Sequence, residues 1–133
     1  MVRQGEGQGP MQLRALRLRG VHHVSLNVRS IDEAAKFYLD VLGLEALPRP
    51  DLGFVGMWLG AGSQQIHLME DPEHDASRSQ HFAFRVDDID AAVEELRARG
   101  VRISRVMDVP GAGRQAFLRD PSGNLLELNQ PGS

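Results

Sequence analysis

The sequence has no cysteine, one tryptophan, one tyrosine and no long uninterrupted apolar run. Without thiols there is no disulfide framework, no cysteine nucleophile and no zinc–thiolate site. A membrane-spanning helix needs about 20 consecutive apolar residues, which the chain lacks, and its first residues lack the apolar region of a secretory signal. Basic residues are scattered rather than blocked, and the net charge of −3 gives no footprint for a polyanion. Nucleic acid and membrane are therefore not expected as partners; a soluble, cytoplasmic protein acting on a small molecule is. At 133 residues, 41% hydrophobic and 25% charged, the chain can bury one modest core, so a single globular domain is expected.

Residues 1–19 begin with the Gly/Gln-rich "MVRQGEGQGP" and are expected to form a flexible leader, with residues 20–133 as the domain. "VHHVSLNV" alternates like a half-buried strand. Ser30 and Glu33 then form a capping-box signature opening a helix over 31–42, which stops at Gly43. Its stripe of Ala34, Phe37, Tyr38 and Val41 is the spacing of a face packed on a sheet. Strand-like runs follow at 44–47, at "FVGMWLG" and at "QQIHLME". "DPEHDASRSQ" is polar throughout and reads as a linker at about 71–79, with His74 as a solvated group.

The pattern then repeats. "HHVSLNVRSIDEAA" overlays "QHFAFRVDDIDAAV" 58 residues later, placing His23 on His81, Val28 on Val86, Ile31 on Ile89 and Asp32 on Asp90. Asp87 or Asp88 caps the second helix, Gly100 ends it, and "VRISRVMD", "RQAFLRD" and "NLLELNQ" supply three strands. The last two are joined by the "DPSG" turn. The fold class is α+β: two βαβββ modules, at about 20–70 and 80–130, with helices on the outer face of a cupped mixed sheet. Each half is too small to cover its own sheet well, so the halves must pair within a chain or between chains.

Successive strand side chains point to opposite faces. His23, Ser25 and Asn27 therefore share one face of the first strand, and His22, Val24, Leu26 and Val28 the other, under the helix. His22 is expected to be partly buried with a local hydrogen-bond partner. In the second copy His81, Ala83 and Arg85 oppose Phe82, Phe84 and Val86. In the last strands, Ile66 and Leu68 bracket His67 as Leu126 and Leu128 bracket Glu127. Four groups able to bind metal, His23, His67, His81 and Glu127, thus hold matching places and point away from the helices. Imidazole with carboxylate suits a divalent Fe, Mn, Co, Ni or Zn ion. Phe37, Tyr38, Phe82 and Phe84 read as packing, and Asp120–Gly123 as turn chemistry. Trp58 either closes the cup over a substrate or packs into an interface.

These motifs, with "FYLDVLGLE", "HFAFRVDDIDAAVEELRARG" and "RDPSGNLLEL", resemble the vicinal oxygen chelate superfamily over 20–129. That superfamily includes glyoxalase I, extradiol dioxygenases, fosfomycin-resistance enzymes, methylmalonyl-CoA epimerase and bleomycin-resistance proteins. The resemblance implies a homodimer and a metal held in the cup by His23, His67, His81 and Glu127. It also implies a substrate chelated through adjacent oxygens. By likeness to glyoxalase I, Glu127 also serves as the proton-transferring base, although the place of His67 is more usually glutamate there. Asn27 stands where glyoxalase I has a glutathione-holding arginine, which leaves Arg85, on the His81 face, or Arg114 or Arg119 near the hairpin, as anion anchors. The leading activity is a metal-dependent lyase or isomerase of glyoxalase type. The alternatives are an extradiol-type Fe(II) dioxygenase, a drug-binding resistance protein and a fosfomycin-type resistance enzyme.

Overall fold

The structure, a computed structural model, describes residues 15–132; the first part of the expected leader lies outside them. Two copies of one pattern follow one another. The first contains β1 (His23–Val28), α1 (Ile31–Ala35), β2 (Glu45–Leu47), β3 (Gly56–Ala61) and β4 (Gln64–Glu70). The second contains β5 (His81–Arg85), α2 (Ile89–Ala98), β6 (Met107–Val109), β7 (Gly113–Arg119) and β8 (Leu125–Gln130). Each copy forms its own four-stranded mixed sheet, in the orders β1-β4-β3-β2 and β5-β8-β7-β6. β1 runs parallel to β4 and β5 parallel to β8, while the hairpin partners are antiparallel. The α+β duplication read from the sequence is therefore the architecture. No helix among the described residues is long and apolar enough to cross a membrane.

Local chemistry sets the element ends. The Ser30 hydroxyl accepts from the Glu33 amide at 3.2 Å, and the Asp88 carboxylate from the Ala91 amide at 3.1 Å, so both helices begin on a side-chain cap. Each helical run ends before a glycine in the left-handed region, Gly43 at φ 76° and Gly100 at φ 83°. The first helix departs from the expected single α-helix. From Lys36 to Val41 it is π-helical, with the Leu42 amide donating to the Phe37 carbonyl at 2.9 Å. Ala34, Phe37 and Tyr38 are nonetheless all buried, as their stripe predicts. The run "VRISRVMD" is also shorter as a strand than expected. Only its end is β6, preceded by a single bridge from Ile103 to Leu118.

One hydrophobic cluster spans both copies. Val28, Ile66 and Leu68 of the first sheet meet Ala34, Phe37 and Tyr38, while Ala116, Leu118, Leu126 and Leu128 of the second meet Ile89, Val93 and Leu96. Polar links reinforce the junction. The Tyr38 hydroxyl donates to Asp120 Oδ2 at 2.7 Å, the Arg29 amide to Ser122 Oγ at 2.8 Å, and Asn124 Nδ2 to the Asn27 carbonyl at 2.9 Å. The "DPSG" turn closes as expected, with Gly123 at φ 86° and its amide donating to the Asp120 carbonyl at 2.9 Å. It also does more than turn the chain. Buried Asp120 accepts from the amides of Ser122 and Asn124 through Oδ1, and from Tyr38 and Asn124 Nδ2 through Oδ2. His74, expected in solvent, is likewise tied to this turn by a 2.8 Å contact between Nε2 and Asn124 Oδ1.

Candidate metal centre

Strand register gathers the expected site residues into two pairs, one on each sheet. On the second sheet, His81 Nε2 lies 3.0 Å from Glu127 Oε1. Two donors on one divalent first-row ion, each at about 2.1 Å and at a right angle, lie about 3 Å apart. The pair is thus spaced like neighbours in a coordination sphere. His81 Nδ1 lies 2.8 Å from the Ser79 carbonyl, which can only accept, so Nδ1 is the donor there and Nε2, on the Glu127 side, is the ring nitrogen that would ligate a cation. Asn129 Nδ2 donates to Glu127 Oε2 at 2.8 Å, and the edge of one ring meets the face of the other where His81 approaches Phe117. Glu127, only 6% exposed, is a buried carboxylate with partners on both oxygens. These supports fit the pair to a hard or borderline divalent cation.

On the first sheet, β1 and β4 put His23 and His67 on the same face, with ring centroids 3.9 Å apart and planes 16° apart. On the neighbouring strand Trp58 stacks against the other side of His67 at 4.3 Å and 8°. Imidazole lone pairs lie in the ring planes, and one ion cannot sit in two nearly parallel planes. Ligation by both histidines therefore needs one ring to turn. His67 Nε2 is meanwhile engaged by Gln65 Oε1 at 2.8 Å. Loss of hydration, then the charges of His23, His22 and Arg49, hold the His67 imidazole below its usual pKa range. Trp58 is half-buried in this stack, lining the open face.

The two pairs do not converge: among the described residues no group of three or more His, Asp or Glu side chains is arranged to hold a metal ion. Nor does a strand ladder join the two sheets. Arg85 shares the His81 face and lines a cleft between the copies with Val21, Ala83 and Asp87, while Asn27 lines a second cleft with Ser25, Gln80 and His81. Arg114 is elsewhere. It has the parity of Ala116 and Leu118, which face the helices, and its guanidinium is held by Asp90 at 2.7 Å and Asp108 at 2.8 Å. It is no anchor for a ligand in the cup. Arg119 is similarly engaged by the carbonyls of Gly123 and Arg78.

His22 corrects the parity argument. β1 begins at His23, so His22 precedes the pleat; it is exposed, and its Nδ1 lies 2.9 Å from His23 Nδ1 instead of under the helix. Arg49 was not marked by any sequence signal, because it lies in a loop with no periodicity to assign a face. The alignment of the two copies gives no warning of it.

Residues 20–128 match the family model for the Glyoxalase/Bleomycin resistance protein/Dioxygenase superfamily. The chain belongs to that superfamily, the vicinal oxygen chelate fold. Among its relatives, lactoylglutathione lyase of Haemophilus influenzae is 33% identical over 120 residues, covering 80% of this chain and 88% of that protein. Glyoxylase I 4 of Arabidopsis thaliana is 31% identical over 124 residues, covering 85% of this chain and 71% of that protein. Among solved structures, a glyoxalase family protein from Bacillus anthracis superposes with a TM-score of 0.81 at 25% identity, covering 90% of this chain and all of the other.

Proposed function

We propose that the protein is a divalent-metal-dependent lyase or isomerase of glyoxalase type, acting on a small α-hydroxy- or α-oxo-carbonyl compound or its thiol adduct. The observation that carries this reading is the His81–Glu127 pair, 3.0 Å apart and supported behind both groups by Ser79 and Asn129. The separation of the two pairs supports a site completed by a second copy of the chain in a homodimer. His81 and Glu127 of one copy then face His23 of the other, with His67 as the fourth donor once its ring turns out of the Trp58 stack. Kinship with lactoylglutathione lyases supports the reaction class.

A divalent ion bound there supplies Lewis acidity to two adjacent substrate oxygens, where negative charge develops. The chain supplies the proton chemistry. Glu127 takes the proton from the hydroxyl-bearing substrate carbon beside the carbonyl and returns it to the carbonyl carbon, while the hydroxyl proton passes to the former carbonyl oxygen, so the substrate is rearranged without net oxidation or reduction. Asn129 holds Oε2 of that carboxylate, which keeps Oε1 toward His81 and the cup. The half-buried Trp58 indole walls one side of the cup against water once His67 turns to the ion.

The test is metal analysis of protein purified without added metal or a histidine tag, followed by His23→Ala and Glu127→Ala. Stoichiometric Ni, Co, Mn or Zn, lost in both variants, with turnover of hemithioacetals, is the expected result. Bound iron with catechol-dependent O₂ consumption transfers the site to dioxygenase chemistry. A metal-free wild type, with affinity for added ions unchanged in both variants, overturns the reading.

A further inference from the structure

Arg49, in the loop between β2 and β3, is a cation that the chemistry above does not use. Its Nη2 donates to the Phe54 carbonyl at 3.0 Å, and its guanidinium carbon stands 4.9 Å from the centre of the Phe54 ring. Its Nε is buried without a hydrogen-bond partner, and the side chain forms no ion pair among the described residues. That Nε is shielded from solvent, so a ligand would meet the guanidinium through Nη1, which makes no hydrogen bond among the described residues.

Gly56 fixes where this group lies. On β3, Gly56 has the parity of Trp58, whose ring stacks on His67, so a side chain at Gly56 would project from the same face. A Cβ placed on Gly56 would meet the Leu68 carbonyl oxygen first, and would stand 2.9 Å from Arg49 Nη2 and 3.1 Å from its Cζ. The guanidinium and the Leu68 carbonyl thus share the space of the missing side chain, and the guanidinium lies near enough to His67 for its charge to act on that imidazole. Gly56 has no positive φ; what the position requires is this close approach. Arg114 and Arg119 are already engaged elsewhere and Arg85 lies on the other sheet, on the His81 face, so Arg49 is the guanidinium on the face of His23 and His67, with Nη1 unspent among the described residues.

We propose that Arg49 is an anion anchor of the cup, gripping a carboxylate carried by the substrate away from its chelating oxygens. This rests on the metal-chelate reading and narrows its substrate class to small oxygenated compounds with a remote carboxylate. A single planar guanidinium suits a carboxylate, whereas a doubly charged phosphoryl group ordinarily draws more than one cation.

Two hydroxamates with the same O,O-chelating head test this: succinic monohydroxamate, whose tail ends in a carboxylate, and butyrohydroxamate, whose tail ends in a methyl group. Their affinities are measured by calorimetry on the full chain carrying the ion with which it purifies. Wild type is expected to favour the carboxylate tail by about tenfold or more, the strength of a hydrogen bond to a charged group. Arg49→Gln should erase the difference between the tails, and Arg49→Lys, which keeps the charge but not the fork, should retain part of it. A wild type without preference, or an R49Q protein with wild-type melting and an intact preference, overturns the assignment. If neither hydroxamate binds the metal-loaded wild type better than metal-stripped protein, the chelate reading falls and the anchor with it.

Discussion

His67 lies between two rings, with the Trp58 indole on one side and the His23 imidazole on the other. A proton added there meets a partly dehydrated site and neighbouring positive charge, so its folded-state pKa lies below the usual range of an imidazole. The unfolded chain takes up that proton first. Stability is unaffected by this group above the unfolded value and falls as pH drops below it toward the folded value, where the loss levels off. The apparent melting temperature of metal-stripped wild type should accordingly decline between about pH 7 and pH 5. The decline should be shallower in His67→Gln, with circular dichroism melts at matched ionic strength as the check; equal slopes would remove His67 as the cause. Much of this residue-level arrangement was legible in the sequence, because a period of two assigns His23, His67, His81 and Glu127 to open faces. His22 escaped the rule because strand parity has no force before the strand begins. Arg49 escaped it because a loop side chain has no period at all.

At the scale of elements, caps and stops were readable because they depend on adjacent residues: Ser30, Gly43, Asp88 and Gly100 all act as their chemistry dictates. The π-helical stretch was not, since the apolar spacing over 34–41 is that of an ordinary α-helix. Nor was the tie that Tyr38 makes from it. Burial and the neighbouring Asp120 carboxylate push its phenol far above its ordinary pKa, so the hydroxyl stays protonated and donates to Asp120. That bond ties the first helix to the β7–β8 turn, across 82 positions of sequence. Tyr38→Phe should cost about 1–3 kcal/mol, the penalty for depriving a buried charged acceptor of one donor, measured by urea unfolding. A loss below about 0.5 kcal/mol would mean that Asn124 and the turn amides satisfy Asp120 unaided.

For the molecule as a whole, the duplication was visible as an echo 58 residues apart, yet the placement of one sheet relative to the other was not. Periodicity describes a strand's own faces and is silent on which sheet will stand opposite. The division of the candidate donors, His23 with His67 on one sheet and His81 with Glu127 on the other, has a genetic consequence. In a dimer whose sites each draw one pair from each chain, two differently damaged chains repair one another. A heterodimer of His23→Ala with Glu127→Ala concentrates both lesions in one site and leaves the second site whole. Co-refolding the two inactive variants in equal amounts should therefore restore about a quarter of wild-type sites through random pairing of subunits. Metal content and hemithioacetal turnover report that recovery. Were each site built within one chain, every chain would carry a broken one, and the mixture would stay as inactive as its parts.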